Sequence, residues 1–134
     1  MSNLEKNSNE RSITANKHIS ITTKVNLHEL RKQLPTFRGM TQKEIDLDVM
    51  RIGTAISDMQ QYFTNELTVK QIAKFASTII ELNIDETLAD IILAFRAGMS
   101  GSYGTIYPQI TYGMLAGFVH SHKVERNSSK GMVS

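Results

Sequence analysis

An all-α fold, a compact bundle of about four core helices, is predicted by three features of this 134-residue chain. Apolar residues recur at three- and four-residue spacing over most of the stretch from Ile45 to Val119, which is the period of a helix face and not of a strand. Helix-capping sequences stand directly before these periodic runs, at Thr41 to Glu44, Thr68 to Gln71 and Asn83 to Glu86. The glycine-rich stretch Gly98 to Pro108 falls between two of the runs, where a turn is required.

Each element has its own justification. Asn26 to Leu34 reads as a short helix with Asn26 as its N-cap, Leu27, Leu30 and Leu34 on one face, and Pro35 ending it. The capping box Thr41-Gln42-Lys43-Glu44 opens a long helix whose stripe is Ile45, Val49, Ile52, Ile56, Met59 and Phe63. Gly53 interrupts that helix and would allow a close helix crossing. Thr68-Val69-Lys70-Gln71 opens the next, with Ile72, Phe75, Ala76, Ile79 and Ile80 inward, and the short connector makes the two antiparallel neighbours. Asn83-Ile84-Asp85-Glu86 is expected to start a third, carrying Leu88, Ile91, Ile92, Phe95 and Met99. A last helix is expected from about Gln109 to Glu125, with Ile110, Met114, Leu115, Phe118, Val119 and His122 inward. Gly113 and Gly117 share one of its faces and would suit a tight helix contact within or between chains, so a homo-oligomer is an open expectation.

The domain organisation expected is a flexible basic arm with a short helix over 1–40, a helical domain over 41–126 and a disordered polar tail over 127–134. Ile19 to Val25 alternates like a strand but has no second strand to pair with. Charge divides along the same lines. Residues 1–40 hold seven basic against three acidic side chains, residues 41–101 five against nine, and the remainder three against one. The basic arm has two readings: contact with a polyanion through Arg31, Lys32 and Arg38, or a solvated leader attracted to the acidic body.

Composition narrows the chemistry. Without cysteine there is no disulfide framework, thiol catalysis or cysteine-ligated zinc, which suits a cytoplasmic protein. The polar start has no signal-peptide core and no apolar run is long enough to span a bilayer, so no membrane association is expected. His120 and His122 are spaced i, i+2 and point to different helix faces, a poor metal pair. Asp46, Asp48 and Asp58 lack the loop and glycine of a calcium hand. Leu67 to Ala76 resembles the opening of a helix-turn-helix, but apolar periodicity runs on where the turn should fall, and the following helix is acidic. No catalytic residue, cofactor or metal site is expected, and the chain reads as a non-enzymatic protein.

The Gly98 to Pro108 loop lacks the lysine and the preceding strand of a phosphate-binding loop. Its first reading is a turn: Gly98 or Gly101 ends a helix in the left-handed conformation, Gly104 makes a tight turn, and Tyr103 and Tyr107 lie as lids over the core. Its second reading is a partner-binding surface made of Tyr103, Tyr107, Gly101 and Gly104.

Ile56-Ser57-Asp58-Met59, Leu67-Thr68 with Gln71-Ile72-Ala73, and above all Gly101-Ser102-Tyr103-Gly104-Thr105-Ile106-Tyr107 make residues 41–126 similar to a family of short helical proteins, a domain of unknown function found in Bacteroidota genomes, their phages and mobile elements. The final helix departs from that family, with Gly113, Ala116 and Gly117 where aromatic or charged residues are usual. The resemblance implies an accessory factor in phage or mobile-element DNA replication or metabolism, at most an adaptor resembling a helicase loader, with a protein partner. The alternative is a structural or regulatory protein-binding module that never touches nucleic acid.

Overall fold

The computed structural model describes residues 26–133, with side chains through residue 128. Among these residues the elements are α1 (Leu27–Gln33), a single 3-10 turn (Phe37–Gly39), α2 (Gln42–Gln60), α3 (Val69–Glu81), α4 (Leu88–Met99) and α5 (Tyr112–Val133), with no strand. The all-α class is therefore observed. The leader and the strand-like patch Ile19 to Val25 lie outside the described residues.

Local chemistry sets the helix starts. Asn26 Oδ1 accepts from the backbone amides of His28 and Glu29 at 3.1 and 3.2 Å. Thr41 with Glu44, and Thr68 with Gln71, form both halves of their capping boxes, so two amides at each helix start find acceptors.

The helix expected to be capped by Asn83 is capped four residues later, by Thr87. Asn83 instead donates from Nδ2 to the Ile79 carbonyl at 2.7 Å, finishing α3. Thr87 caps α4, with Asp90 as the reciprocal partner. Residues 84–86 form a turn whose carbonyls receive the chain from upstream: Phe37 N donates to Glu86 O at 3.0 Å and Arg38 N to Ile84 O at 2.8 Å. That backbone demand comes from a segment more than forty residues away and leaves no trace in local sequence.

α4 is the hub. Every residue from Leu88 to Phe95 is buried, because α1, α2 and α5 all pack on it. A helix apolar around most of its circumference belongs in the centre of a bundle, not on its flank. α2 and α3 form a hairpin at whose crossing Gly53 faces Ile72; a Cβ built on Gly53 would sit 3.4 Å from Ile72 Cγ2. The stripes read from sequence largely line this core: Ile52, Ile56 and Met59 from α2, and Ala76, Ile79 and Ile80 from α3, are buried.

Three boundaries differ from expectation. Residues 26–40 are part of the body, since Leu27, Leu30 and Phe37 are buried in the same core. Burial of side chains of this size contributes about 1.5–3 kcal/mol each before entropic costs. α5 starts at Tyr112 and runs to Val133, so residues 127–133 continue the helix where a disordered tail is expected; no helix breaker intervenes before Gly131. Gly113 and Gly117 make no tight crossing: a Cβ on Gly117 would meet nothing within 4 Å, and one on Gly113 only Thr111 Oγ1 at 3.9 Å. The close approach of α4 and α5 lies at Gly98, beneath the Phe118 ring.

Candidate interaction surface

The glycine-rich loop is a helix stop followed by a clamp. Ser100 is the C-cap of α4; Gly101 N donates to Gly98 O and Ser102 N to Ala97 O, both at 3.1 Å, the paired bonds of a Schellman motif. Its left-handed residue is Gly101 (φ 87°), and Gly104 (φ 112°) reverses the chain again. Gly98 lies inside the helix and needs no positive φ; it is required to be small by its neighbour. Beyond the turn the loop is tied to the α2–α3 connector. Thr64 donates from N and Oγ1 to Pro108 O at 2.8 and 3.0 Å, while Asn65 exchanges two bonds with the Ile110 backbone at 2.9 and 2.7 Å. Asn65→Ala would leave the amide and the carbonyl of buried Ile110 without those partners. The expected loss is about 2–4 kcal/mol, read as a lowered urea midpoint with unchanged m-value.

The two loop tyrosines separate. Tyr103 is half-buried against Phe118, ring centroids 6.4 Å apart, and its Oη is buried without a hydrogen-bond partner among the described residues. Burial, with Glu125 adding repulsion, pushes its phenol up from the ordinary value. Tyr107 is 68% exposed and is no lid. Gly101 and Gly104 are exposed backbone pivots. Of the four residues read as a partner surface, Tyr107, Gly101 and Gly104 are thus exposed, whereas the Tyr103 ring is turned against α5.

The cations expected to meet nucleic acid are drawn onto carboxylates of the same chain. Arg31 Nε lies 2.5 Å from Asp90 Oδ1, Arg38 grips Asp85 through two nitrogens at 2.7 and 3.1 Å, and Lys32 stands 3.6 Å from Glu29. Arg31 belongs to a buried ionic node that local sequence did not reveal. Asp90 also receives the Thr87 amide and hydroxyl, His122 Nε2 at 2.9 Å and Arg126 Nη1 at 3.3 Å, while Arg126 holds Glu86 with two further bonds. Burial would raise the Asp90 carboxyl, but the bonds from His122, the Thr87 amide and Arg31 prevail and hold it well below the usual carboxylate range. Glu86, Asp90 and His122 bring three donor atoms within 4.8 Å of one another, a spacing that could suit a metal ion. The same carboxylates already accept from two guanidinium groups, so the arrangement does the work of a clamp joining α1, α4 and α5.

A different face is open. Between α2 and α3 runs a shallow, mainly apolar groove of about 290 Å³, lined by Val49, Met50, Gly53, Val69, Ile72 and Ala73 with Thr54 and Ser57 at its edge. Val69 is 85% and Met50 67% exposed, so two large apolar side chains stand in solvent on opposite walls. Sequence reasoning passed over both. The available signal was that neither fits the core stripe of its helix: Met50 follows Val49 off the stripe, and Val69 is the first residue after a cap. No helix among the described residues is long and apolar enough to cross a membrane. No family model, curated protein or solved structure matches the chain.

Proposed function

We propose that this chain is a non-enzymatic helical interaction protein that binds a protein partner through the α2–α3 groove. The observation that carries the reading is the pair Met50 and Val69, exposed from opposite sides of one mainly apolar groove. Isolated exposed apolar residues are ordinary, whereas two flanking one apolar groove offer a partner a contiguous apolar surface. The groove is too shallow to enclose a small molecule as binding pockets do, and better suits a partner's helix.

The resemblance of residues 41–126 implies a partner in phage or mobile-element DNA replication or metabolism, with an adaptor resembling a helicase loader as the furthest extension. The second reading, a protein-binding module without nucleic-acid contact, is favoured by the engagement of Arg31 and Arg38 with Asp90 and Asp85. One experiment addresses both. Affinity capture from cells that encode the protein should retain a protein partner after nuclease treatment. Met50→Glu and Val69→Glu should each reduce that capture at least about tenfold, the effect of burying an uncompensated charge in an interface, with thermal melts within about 2 °C of the parent. Capture unaffected by both substitutions would remove the groove from the function, and capture abolished by nuclease would restore the nucleic-acid reading.

A further inference from the structure

We infer that the α2–α3 groove selects an amphipathic partner helix whose apolar stripe is bordered by acidic side chains; this rests on the protein-binding reading above and names the chemistry of the partner. The lining fixes the apolar part. Val49, Ile72 and Ala73 line it around Gly53, which packs against Ile72, and Met50 and Val69 stand exposed from its two helices, so a partner helix can insert apolar side chains between them. The α2 side extends from Val49 to Ser57, about 12 Å of helix, enough for two to three turns of a partner with anchors at i, i+3 or i+4, and i+7.

Charge fixes the border. Lys70 and Lys74 are exposed, one turn apart on α3, on the side of the helix that continues outward from Val69 and Ala73. Among the described residues neither forms an ion pair, whereas Arg31, Arg38, Arg51 and Arg126 each hold a carboxylate. The groove lining itself carries no charge. A partner helix lying in the groove would therefore run past two uncommitted ammonium groups along one edge, attracting Glu or Asp there and disfavouring Lys or Arg. The same two groups argue against a second copy of this chain as occupant. A two-fold interface that laid α3 of one copy over α3 of the other would bring Lys70 and Lys74 toward their own equivalents, at an electrostatic cost.

Selection from a displayed library of 16-residue helices on the immobilised full-length protein tests this, with Leu, Ile, Met or Phe at the stripe and Glu, Gln or Lys at the bordering positions. Glu should be enriched over Lys at one border by about tenfold, Val69→Glu should abolish the enrichment, and the double variant Lys70→Glu, Lys74→Glu should transfer the preference to Lys. All three substitutions are at exposed positions, and circular dichroism verifies that each variant is folded. Helices that are enriched in a Val69-dependent manner without acidic preference would overturn this inference and leave the protein-binding reading standing. No enrichment, or enrichment unchanged by Val69→Glu, would overturn both. A concentration-dependent doubling of mass in light scattering, abolished by Val69→Glu, would assign the groove to a second copy and overturn the acidic-helix inference.

Discussion

Asp90→Ala is expected to lower the unfolding free energy by about 3–5 kcal/mol, the cost of removing one partner from a buried ionic cluster. For a chain of this length that corresponds to a fall in Tm of roughly 10–20 °C. Asp90 is 2% exposed and holds Arg31 of α1 together with His122 and Arg126 of α5, besides completing the α4 capping box with Thr87. Its removal leaves Arg31 without its ion pair, Arg126 with Glu86 alone, and the Thr87 amide uncapped. Asp90→Asn keeps an oxygen for the cap but loses the charge, and should fall between the parent and Asp90→Ala. A melt unchanged by Asp90→Ala would show that the cluster is not what joins these helices.

The same substitution should reshape the acid limb of stability. Folded Asp90 binds its proton less readily than the unfolded side chain, whose pKa is near 3.9, so its contribution is present in full above about pH 5. It declines below about pH 4 as the pH falls toward the depressed folded value. Asp48 acts with the opposite sign. Burial raises its carboxyl despite the Arg51 guanidinium, so protonation at low pH relieves a cost and partly offsets the loss at Asp90. Urea titrations between pH 3 and 7 should therefore show the Asp90→Ala penalty shrinking as the pH falls. A penalty independent of pH would assign the effect to lost packing instead of charge.

Gly98→Ala is expected to destabilise by about 2–3 kcal/mol, although alanine is the better helix former. A Cβ at position 98 would lie closer than 3.0 Å to atoms of the Phe118 ring, and that ring is part of the core, not the far end of a flexible chain. Gly117→Ala supplies the contrast. Nothing lies within 4 Å of its added Cβ, so the helix preference should appear as a gain of about 0.5–1 kcal/mol. Combining Gly98→Ala with Phe118→Leu should cost less than the sum of the two single changes, by about 1 kcal/mol or more in a double-mutant cycle. Strict additivity would mean that the ring turns aside freely and that Gly98 does not set the crossing.

These expectations divide along a line that runs through the fold. The capping boxes at Thr41 and Thr68 and the buried stripes of α2 and α3 were legible because each depends on residues within one or two turns. The third box failed because its residues are held elsewhere: Asn83 closes α3 on the Ile79 carbonyl and receives Lys123 from 40 residues away, Asp85 meets Arg38, and Glu86 meets Arg126. Gly113 and Gly117 looked like a helix-packing face, yet the glycine at a crossing was Gly98, whose spacing from other small residues says nothing of the Phe118 ring above it. The candidate groove was even less visible. Val69 and Met50 are ordinary apolar residues until the pairing of α2 with α3 leaves both uncovered.

By itself, then, the sequence determined the helical class, where two of the capping boxes open helices, which faces turn inward, and that a glycine must carry the chain out of α4. Those follow from backbone hydrogen bonding and the 3.6-residue period, which act over a few neighbouring residues. Only the tertiary structure decided what the charges and the remaining apolar side chains do. Arg31 meets Asp90 across 59 residues of sequence, Arg126 meets Glu86 across 40, and His122 meets Asp90 across 32. Electrostatic partners and uncovered surface depend on distances in space: the packing of α1 onto α4 brings Arg31 to Asp90, the turn before α4 brings Asp85 to Arg38, and the pairing of α2 with α3 leaves an apolar groove open between them.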